Sequence, residues 1–246
     1  MLRESYWPAS DEIALNETST ASVLRDAAVR WPERVALIDA GGPPTARTRW
    51  TYAELLAEAE RTARALANRF APGAHVAVWA ANCPEWVILQ FGLALAGLVM
   101  VTVNPACRAA ELGYVLRQSR ARGVFHQPHY RGLDMGAAVA AVRAEPSVAL
   151  DHAIAFEELD AFVAGHDSDT ALPTIDPRAP AMIQYTSGTT GAPKGALLNH
   201  YSVTNNPRMM VLLKELDEHT VNLAVAPLFH SGGCERGRCT MAHRPG

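Results

Sequence analysis

The residues best suited to chemistry lie in the segment YTSGTTGAPKG, from Tyr185 to Gly195. Six of its first ten residues are Gly, Ser or Thr, and its one charged residue is Lys194. Glycines can turn successive N–H groups into one concavity, hydroxyl groups add donors, and an ammonium group adds a mobile positive charge. Apolar segments flank this stretch on both sides, which argues against a flexible linker. The segment therefore predicts a loop that cradles the phosphates of a nucleotide, following a β-strand as in other α/β proteins.

The spacing of this loop differs from that of the kinase and GTPase phosphate loop, G-x-x-x-x-G-K-[ST]. Gly188 and Gly191 are only three residues apart, and Gly195 follows Lys194 directly. The hydroxyl residue that holds Mg²⁺ after the lysine of that motif is therefore missing. The spacing disfavours an NTPase of that class.

Residues 183–195 resemble the signature loop of the adenylate-forming enzymes, a family that includes acyl-CoA synthetases, peptide-synthetase adenylation domains and firefly luciferase. The match is continuous over thirteen positions. Weaker matches are WTYAEL at 50–55, NCPEW at 82–86, VNPACRAAEL at 103–112 and PLFHSGG at 227–233. The pattern is most similar to that of fatty-acyl-CoA synthetases. Cys107 departs from it, because acyl-CoA synthetases usually have an aromatic residue there.

The resemblance implies an acid–thiol ligase that joins a carboxylic acid, expected to be a fatty acid, to ATP and then passes the acyl group to CoA. Charge builds up on the departing pyrophosphate, so donors and cations around it matter most in the transition state. The ATP-binding residues implied are Thr186, Ser187, Gly188, Thr189, Thr190, Gly191 and Lys194. By the same resemblance, Lys194 is also catalytic, Thr186 contacts Mg²⁺, and His230 is a catalytic-site residue that lines the acyl pocket near the adenylate. His200 is expected to be structural.

Hydrophobic periodicity predicts the elements that position these residues. A capping-box pattern, TYAE, begins a helix at residue 51 that ends before Pro72 and Gly73. Strands at 75–80, 98–103 and 123–127 alternate with helices at 82–96 and 109–119, which implies parallel strands joined by right-handed crossovers. Further strands are predicted at 181–185, 196–199 and 221–226, and a helix at 203–215 interrupted early by Pro207. The predicted fold class is α/β, layered as helix, sheet and helix, with mainly parallel strands.

Composition limits the class of protein. The chain has 246 residues, of which 49% are hydrophobic, and its 22 basic and 25 acidic residues give no electrostatic case for binding nucleic acid. Four cysteines do not make a disulfide framework, and the N-terminus has no apolar core of a signal peptide, so a cytoplasmic location is expected. The apolar run at 86–103 contains Gln90 and is split by Gly97, which predicts a buried helix and strand and no membrane span. The oligomeric state stays open.

The sequence predicts a partial N-terminal AMP-binding domain over residues 1–234, with a candidate internal boundary in the polar segment 165–180. Residues 235–246 have three Arg, two Gly and no apolar periodicity, which suggests an atypical tail from a shifted reading frame. The later nucleotide-binding motifs and the small C-terminal domain of the family are not found. The chain alone is therefore expected to be inactive and poorly soluble. The alternative is a non-catalytic phosphate- or nucleotide-binding module, or a degenerate gene product.

Overall fold

A computed structural model describes residues 14–41, 43–164, 169–186, 192–217, 219–230 and 233 of the chain. The strands are β1 (Val35–Ile38), β2 (Arg49–Thr51), β3 (His75–Trp79), β4 (Val99–Val103), β5 (Gly123–His126), β6 (His129–Tyr130), β7 (Leu133–Asp134), β8 (His152–Ala155), β9 (Pro180–Thr186) and β10 (Lys194–Asn199). The α-helices are α1 (Thr20–Arg30), α2 (Tyr52–Ala67), α3 (Pro84–Leu95), α4 (Ala109–Ser119), α5 (Met135–Arg143), α6 (Leu159–Ala164) and α7 (His200–Leu213).

The central sheet has six strands in the order β10-β9-β4-β3-β5-β8. β3 runs parallel to β4 and β5, β4 runs parallel to β9, and β5 runs parallel to β8. β10 is antiparallel to β9 and lies at the edge of the sheet. Helices cover both faces, so the predicted α/β class with mainly parallel strands is confirmed.

Two hydrophobic cores lie on opposite faces of the sheet. The first joins the sheet to α1, α2 and α3, and Leu55, Trp86 and Phe91 are buried in it. The second joins the sheet to α4 and α5. β3 contributes Val78 to the first core and Trp79 to the second. A parallel strand that is covered on both faces is apolar at nearly every position, which explains why residues 76–80 lack alternation with polar residues.

Local signals fix the ends of the elements around the site. The Thr51 hydroxyl accepts a hydrogen bond from the Glu54 N–H at 3.2 Å, and the Glu54 carboxylate accepts one from the Thr51 N–H at 2.8 Å, so the predicted capping box forms. Gly97 has a φ of +70° and separates α3 from β4. The run at 86–103 is therefore a buried helix and a buried strand. Within the described ranges, no helix is both long enough and apolar enough to cross a membrane.

Two predicted elements differ in the structure. Residues 221–226 form no strand: Val221, Leu223 and Val225 are largely exposed, and this segment pairs with no strand of the described sheets. A strand requires a neighbour for its hydrogen bonds, and apolar alternation alone does not supply one. The predicted helix at 203–215 begins earlier, at His200, because Asn199 caps it, and it continues through Pro207, which is buried on the inner side of α7.

The polar segment in which a domain boundary was expected is described from residue 169 onward. Leu172 and Ile175 pack against the first core, and the Thr170 hydroxyl donates to Asn68 Oδ1 at 2.8 Å. Residues 165–168 and the atypical tail at 235–246 lie outside the described residues. The domain limits stay a prediction.

Candidate functional site

The two ends of the predicted phosphate loop are held together as an antiparallel pair of strands. β9 ends at Thr186, β10 begins at Lys194, and these two residues lie directly opposite each other in the register. Directly opposed residues share one face of a sheet, with their Cβ atoms about 4.5–5.5 Å apart. Both side chains are exposed. Ser187, Gly188, Thr189, Thr190 and Gly191 lie outside the described residues.

The next pair of the register, Tyr185 and Gly195, lies on the opposite face of the hairpin. A Cβ atom on Gly195 would come within 2.9 Å of Ile183 Cγ2 and 3.2 Å of Tyr185 Cζ. Gly195 is therefore required for close packing of the Tyr185 ring across β10. Because side chains alternate along a strand, this packing leaves Thr186 and Lys194 on the other face.

Helix α4 braces the base of the loop from the Tyr185 side. The Tyr185 hydroxyl donates to the Val115 carbonyl at 3.3 Å, and the Tyr114 hydroxyl donates to the Pro193 carbonyl at 2.9 Å. Burial raises the pKa of Tyr185 to about 12, so this phenol stays protonated and keeps its donor at neutral pH. The strand pair and the helix together fix the point at which the loop begins and ends.

Both described ends of the loop, Thr186 and Lys194, lie at the carboxyl edge of the parallel sheet. Trp79 pairs with Val103 in the register of β3 and β4, and Thr102 pairs with Gln184 in the register of β4 and β9. The carboxyl ends of these strands, including Thr186 at the end of β9, therefore meet at one edge. Open α/β sheets bind their ligands outside the carboxyl ends of the strands.

The segment that carries His230 reaches the same edge through Asn82, which follows β3. Asn82 Nδ2 donates to the carbonyl oxygens of Ala224 and Ala226, both at 3.0 Å, and Asn82 Oδ1 accepts from the Leu228 N–H at 2.8 Å. His230 is exposed. Sequence reasoning missed Asn82, whose only signals were its place just after a buried strand and its membership of the NCPEW match.

Other polar residues considered from the sequence lie apart from this edge or lack reactivity. His200 is buried, and its Nδ1 accepts hydrogen bonds from the N–H and the hydroxyl of Thr20, as expected for a structural residue. Burial raises the pKa of the Cys107 thiol to about 11 and that of Cys83 higher still, so neither described thiol is a nucleophile at neutral pH. In the part of the chain that the structure describes, no group of three His, Cys, Asp or Glu side chains could hold a metal ion.

Comparison with known proteins agrees with this fold. The family model for AMP-binding enzymes matches residues 24–242. YngI of Bacillus subtilis strain 168, whose name assigns it provisionally to the acyl-CoA synthetases, is 30% identical over 91% of this chain and 45% of its own length. The medium-chain acyl-CoA ligase ACSF2, mitochondrial, of Homo sapiens is 29% identical over 95% of this chain and 42% of its own length.

The solved N-terminal domain of FACL13 from Mycobacterium tuberculosis, determined with an inhibitor, superimposes with a TM-score of 0.76 and 26% identity. The superposition covers 92% of this chain and 55% of that domain. The chain thus spans about half the length of the proteins it matches. The family match over most of its residues and the shared fold lead to one conclusion: the chain belongs to the AMP-binding enzyme family, among relatives that are acyl-CoA synthetases.

Proposed function

We propose that this chain supplies the phosphate-binding edge of an acid–thiol ligase, which activates a carboxylic acid with ATP and transfers the acyl group to CoA. The observation that carries the proposal is the position of Lys194 opposite Thr186, at the mouth of the signature loop and at the carboxyl edge of the sheet. The activity is proposed for a protein of the relatives' full length, since the chain spans about half of that length.

In this proposal the loop binds the part of ATP that leaves. The Lys194 ammonium faces the β- and γ-phosphates, where negative charge accumulates as the carboxylate oxygen attacks the α-phosphorus and the bond to pyrophosphate breaks. Ser187, Gly188, Thr189, Thr190 and Gly191 contribute N–H and hydroxyl donors to the same phosphates. The hydrogen bonds between α4 and the two ends of the loop support this role. They order the backbone before ATP binds, so less of the binding free energy is lost in ordering it.

Mg²⁺ is compatible with the hydroxyl of Thr186, which is a hard oxygen ligand at the exposed end of β9. Among the described residues no cluster of carboxylates stands beside it, so Thr186 would be one oxygen ligand beside phosphate and water oxygens, a common arrangement for Mg²⁺. When bound, Mg²⁺ would neutralise phosphate charge next to Lys194.

We infer a fatty acid as the class of acid and CoA as the acceptor. The support is the close likeness of residues 183–195 to the fatty-acyl branch and the relatives themselves, one of which is named a medium-chain acyl-CoA ligase. His230 would line the acyl pocket near the adenylate, since its segment is attached to the same sheet edge as the loop. A cytoplasmic site of action remains a prediction.

ATP–pyrophosphate exchange with a panel of carboxylic acids tests the proposal. We expect exchange by YngI, of which this chain spans 45%, and a loss of at least about 10²-fold in rate when the residue that aligns with Lys194 is changed to Met. We expect this chain alone to bind ATP but to catalyse no exchange. Unchanged exchange in the YngI variant would refute the assignment of Lys194.

ATP binding by the chain itself provides the matched control. The chain contains only two lysines, Lys194 and Lys214, and both are exposed. Lys194→Met should weaken ATP binding, while Lys214→Met should leave it unchanged. Suppose that only Lys194→Met loses ATP binding, and that YngI catalyses no exchange. These two results together would favour the non-catalytic nucleotide-binding module.

A further inference from the structure

The side chain of Asn82 directs both of its donors and its acceptor oxygen to one distant segment. A primary amide offers two N–H donors and a carbonyl acceptor. Asn82 places the two donors on the carbonyl oxygens of Ala224 and Ala226, and it places the acceptor on the N–H of Leu228. No other side chain of this length supplies two donors and one acceptor, because aspartate lacks the donors and leucine lacks both.

The segment from 219 to 228 exposes most of its apolar side chains. It forms no regular element, and Val221, Leu223 and Val225 are 84%, 68% and 73% exposed. Leu228 is its one described side chain that is buried with the first core, at 5% exposure. Leu228 is an apolar anchor of this segment, and the amide of Asn82 holds it through three hydrogen bonds.

A tight turn leads directly from this attachment to His230. The His230 N–H donates to the Pro227 carbonyl at 3.1 Å, and the Gly233 N–H donates to the His230 carbonyl at 3.0 Å. A Cβ on Gly233 would lie 2.0 Å from the Pro227 carbonyl oxygen, so only glycine permits this closure. The backbone at His230 is consequently fixed relative to Pro227, one residue before the Leu228 N–H that Asn82 holds.

We propose that Asn82 is a positioning residue for His230. Its amide attaches the segment 224–228 to the end of β3, and the hydrogen bond from the His230 N–H to the Pro227 carbonyl then sets where the imidazole lies at the sheet edge. The importance of that location for the reaction rests on the proposed function of His230. The attachment of residues 224–228 to Asn82 is independent of that function. Asn82 contacts neither the loop at 186–194 nor its phosphate-binding residues in the hydrogen bonds described.

Amide hydrogen exchange tests the attachment on the chain without any ligand. Loss of these three hydrogen bonds in Asn82→Ala should raise the exchange rates of the Leu228 and His230 amides on the order of tenfold, because each such bond makes a modest net contribution to stability. Asn82→Asp keeps the acceptor but turns a carboxylate toward two carbonyl oxygens, so it should also raise these rates. A carboxylate near the start of α3 is compatible with that helix, so this variant stays folded.

Asn68→Ala is the matched control, since Asn68 is another exposed asparagine that holds a distant segment, through the Thr170 hydroxyl. It should accelerate exchange near residue 170 and leave Leu228 and His230 unchanged. Equal exchange of the Leu228 and His230 amides in wild type and Asn82→Ala would overturn the proposal.

The NMR resonances of the His230 imidazole, assigned with a His230→Gln variant, test whether Asn82 positions this side chain or only stabilises the segment. We expect them to shift in Asn82→Ala and not in Asn68→Ala; unchanged resonances would refute a positioning role even if exchange rises. Adding dodecanoyl-sulfamoyl adenosine, a stable mimic of an acyl-adenylate, then tests the proposed function separately. If this probe leaves His230 unperturbed in the wild-type chain, the role of His230 in the proposed function is wrong, while the attachment by Asn82 stands on the exchange data.

Discussion

The Tyr114 hydroxyl lies 2.9 Å from the carbonyl oxygen of Pro193, the residue that directly precedes Lys194. Tyr114 belongs to α4, in the layer opposite the first core, so the bond joins a helix of the scaffold to the exit of the phosphate loop. Tyr185 makes a similar bond from β9 to the Val115 carbonyl. The two phenols therefore hold both strands of the hairpin against one turn of α4.

Tyr114→Phe should weaken ATP binding without unfolding the chain. The ring remains and only the bond to the Pro193 carbonyl is lost, which corresponds to about 0.5–1.5 kcal/mol, or roughly a two- to tenfold rise in Kd. Isothermal titration with ATP measures it. Tyr201→Phe, in a tyrosine that stacks on Arg178 away from the loop, should leave the Kd unchanged. An unaltered Kd in Tyr114→Phe would show that α4 does not order the loop.

Gly195→Ala should destabilise the hairpin. The new methyl group would lie 2.9 Å from Ile183 Cγ2 and 3.2 Å from the Tyr185 ring, which forces β10 away from β9. Overpacking of this kind costs about 1–3 kcal/mol. Urea denaturation of the variant measures the free energy of unfolding. Ala196→Val, at the neighbouring exposed position on the other face of β10, should change it by less than about 0.5 kcal/mol.

The sequence was sufficient to predict the bounds of those helices and strands whose ends are determined by neighbouring residues. The capping box at Thr51 and the glycine break at Gly97 placed α2, α3 and β4 to within a few residues. The strand predicted at 221–226 was wrong because a strand depends on a partner, which a local pattern does not reveal. Asn82 was missed for a related reason: its three partners lie more than 140 residues away along the chain.

Tyr185 should make stability fall at high pH. Burial raises its pKa to about 12 in the folded chain, against about 10 when the phenol is exposed, so the folded state retains a proton that the unfolded state loses between these values. The contribution of the neutral phenol is complete below pH 10 and disappears as the pH rises through 12. Urea midpoints measured from pH 8 to 12 should therefore fall more steeply in wild type than in Tyr185→Phe. Parallel curves would contradict the raised pKa of the partly buried Tyr185 phenol.

His200→Ala should show the reverse of the behaviour expected for Lys194→Met. His200 is 1% exposed, and its Nδ1 accepts hydrogen bonds from Thr20 in the first core, so truncation leaves a cavity and an unsatisfied N–H. The free energy of unfolding should fall by about 2–4 kcal/mol.

The folded fraction of His200→Ala should nevertheless bind ATP with the wild-type Kd, because His200 lies in the core and contacts neither end of the loop. Lys194→Met should keep wild-type stability, since its side chain is exposed, and should lose ATP affinity. Urea denaturation and ATP titration give a free energy of unfolding and a Kd for each variant. We expect only the free energy of unfolding to change in His200→Ala and only the Kd to change in Lys194→Met. If His200→Ala folds fully but binds ATP poorly, His200 contributes to the ATP site and its assignment as a structural residue is wrong.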